Sequence, residues 1–225
     1  VIGAEALLRW PVAGVAPEQF IPIAEYTGLI HQLGEWALFE ACRQQRAWQA
    51  KGLAALTMSV NVSPAQFRQA GFRGTVAKAV VESGIDPDCL QLEITESALA
   101  KHAETVVETL QALKQLGVHV VLDDFGKGYS SLSHLKCLPV DAIKIDKDFI
   151  HGLDIDRGNM AIAAAIINLG QELGLQVIAE GIESEAVLAS LQARRCQAIQ
   201  GFYVCQPVAG DEFEDWYRSH STLVS

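Results

Sequence analysis

Apolar runs along this chain carry polar groups at or near their ends. VVLDDF, residues 120–125, finishes in the adjacent acids Asp123 and Asp124. Glu5 and Arg9 occur in AEALLRW, Asn61 in LTMSVNVS, Glu93 in LQLEITES, Lys144 in AIKIDKDF, Glu180 in QVIAEGIE and Gln200 in AIQGFYV. Several carboxylates gathered in apolar surroundings must be paired, protonated or metal-bound, because burying them uncompensated costs many kcal/mol. Of the candidate groups at the strand ends, five are acids (Glu5, Glu93, Asp123, Asp124, Glu180) and only two are cations, Arg9 and Lys144. Divalent cations would fill that deficit. All the candidate donors are oxygens, which suits Mg²⁺ or Mn²⁺ better than zinc or copper. An aspartate able to bridge, with more acids than one ion needs, points to two ions about 4 Å apart. That arrangement activates water and steadies the leaving oxygen in phosphodiester hydrolysis.

The elements that must position these groups are short β-rich runs alternating with helical periods. The runs cover 4–10, 56–63, 90–97, 119–125, 142–149, 176–183 and 198–204. Between them, Ala103, Val106, Val107, Leu110 and Leu113 recur at helical spacing, as do Ile30, Leu33, Ala37, Ala41 and Trp48. LKQLGVHVVLDD and GQELGLQVIAEG nearly repeat, each stopping a helix at glycine (Gly117, Gly174) and reaching an acid six residues later. Alternating strands and helices imply βα units on a mainly parallel sheet. With seven readable strands and no Gly-x-Gly-x-x-Gly after the first, the expected fold is α/β, a closed (β/α)8 TIM-like barrel, in one domain over 1–225. Strand ends at the C-terminal mouth of such a barrel build its site. On the two-residue period, Glu5, Leu7 and Arg9 share a face, as do Glu93 with Thr95 and Lys144 with Asp146. Neighbouring strand residues point opposite ways, so Asp123 and Asp124 both reach the site only if the strand breaks there, a task for Gly126 and Gly128. The chain starts inside a strand, from which an upstream element is inferred.

Bulk properties narrow the options. At 225 residues the chain can bury one sizeable core. Its longest apolar stretch, Met160 to Ile167, falls far short of the roughly 18 residues that span a bilayer. Seventeen basic against 27 acidic residues give a net charge of −10, which argues against a groove for long nucleic acid. Five scattered cysteines without a CxxC pair or a leader favour a reducing, cytoplasmic setting, and no HExxH or Cys/His spacing supports zinc.

The motifs EALLR (5–9), NVSPAQF (61–67), LEITES (92–97), DDFGKGYSSL (123–132), IKIDKDFI (143–150), AEGIE (179–183) and QGFYVCQPV (200–208) come in one order over nearly the whole chain. In that order they resemble the EAL-domain phosphodiesterases, which open cyclic di-GMP to the linear dinucleotide pGpG. The resemblance implies that Glu5, Asn61, Glu93 and Asp123 hold one metal, and that Asp123 bridges to a second ion held by Asp124 and Glu180. It implies that Lys144 holds the attacking water and helps take its proton, that Gln200 orients metal-bound water, and that Arg9 grips a substrate phosphate. Leu7, Asp146, Phe202 and Pro207 would line the substrate, Glu183 would support the site, and Glu96 would steady the loop after Asp124. It further implies a homodimer and attached sensory or synthase domains in a parent protein. The chain departs from the family pattern at Lys127, usually threonine, and at Gln206, often a basic residue. The family's first strand is also absent.

Plainer roles compete for some positions. Ser63 and Pro64 have the chemistry of an N-cap and first helical residue, which leaves Asn61 as a ligand. Glu180 and Glu183 could be a solvated pair at a helix start. The six histidines (His31, His102, His119, His134, His151, His220) read as structural or surface, and Trp10, Trp36, Trp48 and Trp216 as core or helix-packing residues. The expected activity is two-metal hydrolysis of cyclic di-GMP with Mg²⁺ or Mn²⁺. The alternative is a cyclic di-GMP receptor that no longer turns over.

Overall fold

The computed structural model describes residues 1–12, 14–53, 56–99, 103–127 and 135–221. Seven strands form among them: β1 (Gly3–Ala6), β2 (Thr57–Val62), β3 (Leu90–Thr95), β4 (His119–Phe125), β5 (Ala142–Ile145), β6 (Gln176–Ala179) and β7 (Ala198–Ile199). Strand order is chain order. β1 with β2, and β4 with β5, β5 with β6 and β6 with β7, pair in parallel. Parallel neighbours need a crossover, and helices supply it: α1 (Pro17–Thr27), α2 (Ile30–Ala50), α3 (Pro64–Phe67), α4 (Phe72–Ser83), α5 (Glu96–Leu99), α6 (Ala103–Lys114), α7 (Lys147–Ile150), α8 (Arg157–Leu173), α9 (Glu185–Ala193) and α10 (Gly210–Ser221). Two compact units divide these elements, with boundaries that fall within β3, α6 and β4. The first comprises Val1–Leu92, Ala112–His119 and Pro207–Ser225, the second Glu93–Gln111 and Val120–Gln206.

In the first unit, α2 buries one stripe, Ile30, Gly34, Leu38, Ala41, Cys42, Gln45 and Trp48. Leu33 and Ala37, expected on that stripe, lie at its half-buried margin. Trp36 is 58% exposed on the far side and Trp10 is 47% exposed, tilted against Phe20 with ring centroids 5.4 Å apart, so neither is a core residue. Trp48 is one. It packs on Phe213 of α10 with centroids 4.8 Å apart, and its indole N–H donates to the Gly210 carbonyl at 3.1 Å. The buried Gln45 amide donates to the carbonyl of Leu56, which delivers the chain into β2. At the other end of β2, Ser63 caps α3: its hydroxyl accepts from the Gln66 N–H at 3.2 Å, and the Gln66 side chain accepts from the Ser63 N–H at 3.3 Å. Pro64 follows at the first helical position, as expected. This capping box fixes the exit from the strand that carries Asn61.

In the second unit, α8 buries Ala163, Ile166, Ile167 and Gly170. A side chain at Gly170 would drive into Val177 of β6, so glycine is what brings α8 down onto the sheet. Gly174 ends α8 at φ 70, and Gly117 follows α6 at φ 86, both left-handed as their places after the helices require. All four residues of β5 are buried, the pattern of a strand covered on both faces. One of the four is Lys144.

Several strands are shorter than their sequence patterns. β1 ends at Ala6, where its pairing with Val60 ends, so Leu7 and Arg9 lie beyond the strand and share no strand face with Glu5. β5 ends at Ile145 because Asp146 turns the chain into α7. β7 keeps only Ala198 and Ile199. Beyond them the loops after β6 and β7 bond to each other. Gln200 N–H donates to Ala179 at 2.8 Å, Ile182 N–H to Gln200 at 3.1 Å and Tyr203 N–H to Ile182 at 3.0 Å. The approach is so close that a Cβ on Gly201 would stand 2.8 Å from the Ile182 carbonyl carbon.

Two substitutions measure these constraints. Ser63→Ala removes one capping hydroxyl and is expected to lower stability by about 1 kcal/mol. Gly201→Ala presses a methyl group on backbone that cannot rotate away, with an expected loss of about 1–3 kcal/mol. Urea midpoints at unchanged m-value check both.

Candidate active site

The adjacent acids are placed by an irregularity in the sheet. Leu122 pairs with Ile143 and Phe125 with Ile145, so Asp123 and Asp124 together stand opposite the single residue Lys144. This is a β-bulge, which disturbs the two-residue alternation and re-aims side chains. Asp124 takes φ 54, a left-handed conformation uncommon outside glycine, and its N–H donates to Asp123 Oδ1 at 2.8 Å. The break expected at the glycines therefore begins at Asp124 itself and runs on through Gly126 at φ 108. Gly128 lies outside the described residues, as do His102, His134 and the rest of 128–134.

Lys144, 1% exposed, donates to Glu93 Oε2 at 2.8 Å and also pairs with Glu180. Glu93 is 2% exposed and Glu180 20%. An ammonium removed from water in this way is tolerable only with carboxylates against it. β3, β5 and the end of β6 thus deliver one three-residue ionic group.

A second ionic group adjoins the bulge. Lys127 Nζ lies 2.8 Å from Asp146 Oδ2 and 2.9 Å from Asp148 Oδ2. The other oxygen of Asp146 caps α7, accepting from the Asp148 N–H at 2.7 Å. Burial, a hydrogen bond to Asp146, and the charges of Asp123 and Asp146 push the Asp124 carboxyl up to about 6, against the pull of Lys127. Burial also opposes ionisation of Asp146, but hydrogen bonds from Lys127, Asp124 and the Asp148 backbone outweigh it and hold Asp146 below the usual carboxylate range. Lys127 is itself raised: burial disfavours its charge, and Asp146 and Asp148 more than restore it.

The other predicted residues fall as follows. In the first unit, Asn61 Nδ2 donates to Glu5 Oε1 at 2.5 Å across the β1–β2 pair. Arg9 is exposed and donates to the Leu8 carbonyl at 2.9 Å, while Leu7 is 42% exposed and Pro207 is exposed. In the second unit, Glu96 is buried and accepts from the Gly126 N–H at 3.4 Å. Gln200 is half-buried and Phe202 is 59% exposed. Glu183 stands 3.9 Å from His151 Nε2, one residue before Ser184, which caps α9. The pairing of Lys127 with Asp146 and Asp148 was not foreseen. Its only sequence signal is a lysine four residues after Asp123, with two acids spaced two apart after β5.

Among the described residues, no three of His, Cys, Asp and Glu converge as a ready-made ligand set. The donor chemistry nonetheless fits a hard divalent cation. The acids offer oxygen only, and Asp123 and Asp146 add their negative charge to the burial that resists ionisation of Asp124.

Removing the buried cation tests the first ionic group. Lys144→Met leaves Glu93 buried without that partner, and an expected loss of about 3 kcal/mol should appear as a lowered urea midpoint. The second group can be titrated directly. The ¹³C carboxyl signal of Asp124 should show a midpoint near 6 in metal-free protein. With saturating Mg²⁺ it should move well into the acid range.

Comparison with known proteins bears on the family and fold of the chain. A family model described as EAL domain matches residues 1–207. The bifunctional diguanylate cyclase/cyclic di-GMP phosphodiesterase MucR of Pseudomonas aeruginosa is 44% identical over 215 residues, 94% of this chain and 31% of that protein. The oxygen sensor protein DosP of Escherichia coli is 39% identical over 220 residues, 96% of this chain and 28% of that protein. The chain thus spans about a third or less of the length of these relatives. A solved structure of the MucR phosphodiesterase in complex with c-di-GMP superposes with a TM-score of 0.91 at 43% identity, covering 94% of this chain and 87% of that one. The EAL enzyme Bd1971 in its cGMP-bound form gives 0.92 at 28% identity, covering 97% and 60%. These likenesses establish the TIM-barrel-like, mostly parallel fold class. With seven ordered motifs and a family model over 207 residues in agreement, this chain belongs to the EAL domain family.

Proposed function

We propose that this chain hydrolyses one phosphodiester bond of cyclic di-GMP to linear 5′-pGpG, with two Mg²⁺ or Mn²⁺ ions. The observation that carries this function is the buried Lys144, paired with Glu93 and Glu180 and lying opposite the Asp123–Asp124 bulge. Support comes from the relatives named as cyclic di-GMP phosphodiesterases, MucR and the NbdA protein of Pseudomonas aeruginosa. The proposed ligands are Glu93, Asp123, Asp124 and Glu180, with Glu5 and Asn61 assigned by resemblance.

When bound, the two ions lower the pKa of a water and neutralise charge on the phosphate oxygens. The chain's own groups do the rest. Two carboxylates against Lys144 favour its ammonium form, so it serves as a donor that holds the attacking water rather than as a base. The water proton passes to a carboxylate, and Glu180, more open than Glu93, is the proposed acceptor. As the water oxygen bonds to phosphorus, the bond to the 3′ oxygen breaks. The phosphate stays on the 5′ side, and the leaving 3′ oxygen takes a proton from solvent. Arg9 lets go of the Leu8 carbonyl to grip a phosphate, and Gln200 orients water. Phe202 offers an exposed aromatic face to guanine.

The direct measurement is conversion of cyclic di-GMP with Mg²⁺ or Mn²⁺, followed by chromatography. The expected product is pGpG, with a fall of at least about 10²-fold in Lys144→Met and in Glu5→Ala. Tight nucleotide binding without product in either metal would identify a receptor instead. Undiminished turnover by Glu5→Ala would remove that residue from the ligand set.

A further inference from the structure

Lys127 bonds two acids, and one of them, Asp146, is buried, with a side chain only 3% exposed. Both oxygens of Asp146 are engaged, one by Lys127 and the other by the Asp148 N–H that starts α7. Asp146 also lies beside Asp124, close enough that each carboxyl shifts the ionisation of the other. A tethered ammonium is thereby linked, through one buried carboxylate, to Asp124, a proposed metal ligand. Exposed pairs of this kind contribute little, but a pair with one buried member is screened far less. The lysine side chain keeps 43% exposure, so the ammonium has a path to water.

We propose that Lys127 is a built-in counter-ion that competes with a divalent cation for the negative charge of the Asp123, Asp124 and Asp146 cluster. It weakens cation uptake and sets the concentration at which the site fills. The inference rests on the divalent-ion function proposed above. With Lys127 in place, the three carboxylates carry one fewer uncompensated charge. With a neutral side chain at 127, an arriving ion meets the full negative charge of the cluster. The lysine also ties the residue after Gly126 to the first turn of α7.

Mn²⁺ uptake by the full chain, followed by electron paramagnetic resonance of free Mn²⁺ or by calorimetry, tests this without turnover. Lys127→Met and Lys127→Gln should each bind Mn²⁺ roughly threefold to tenfold more tightly than the parent. Lys127→Arg, which keeps the charge, should stay within about twofold, and the Met and Gln gains should shrink at high salt. Equal or weaker uptake by both neutral variants, with uptake by the parent intact, overturns the counter-ion role and leaves the metal function standing. No Mn²⁺ uptake by any of the proteins overturns both.

Discussion

A lysine ammonium taken out of water and held by two glutamates is the constraint from which the second unit is built. Lys144 sits in a four-residue strand with every residue buried, so its charge has no solvent to turn to. Glu93 must come from β3 and Glu180 from the end of β6, which fixes what those strands may carry where they meet it. Apolar residues of similar volume would serve stability as well or better. That a charged triad stands there instead is most simply explained by chemistry.

The bulge in β4 follows from the same demand. A regular strand would send Asp123 and Asp124 to opposite faces, yet the register sets both residues opposite the single residue Lys144. Asp124 meets the requirement with a left-handed backbone, a conformation a few per cent of non-glycine residues adopt and one that aspartate tolerates better than most. Its carboxyl then lies among Asp123 and Asp146, where crowding and burial resist its charge.

Much of this was legible in the chain. Seven strands, the Ser63 cap and the glycine stops after α6 and α8 follow from periodicity and turn chemistry, which are local. The polar residues that interrupt apolar runs marked the candidate site for the same reason. What escaped was set by pairing and packing. EALLR reads as a strand through Arg9, but the strand ends where its neighbour stops pairing with it. The bulge has no signature in VVLDDF, because register belongs to two strands together. Lys127 looked like a substitution in a loop, and only the turn of β5 into α7 brings Asp146 and Asp148 to it. Trp36 looks like a core residue by type and lies on the wrong side of its helix.

The stitching of the loops after β6 and β7 has a bearing on how such a site can vary. Ile182 exchanges main-chain bonds with Gln200 and Tyr203, and Gly201 leaves no room even for a methyl group. An inserted or deleted residue on either side would unzip both segments and displace Glu180 with them. Divergence in what this rim admits is thereby channelled into the outward side chains of Phe202 and Tyr203, while the length of the connecting segments stays locked.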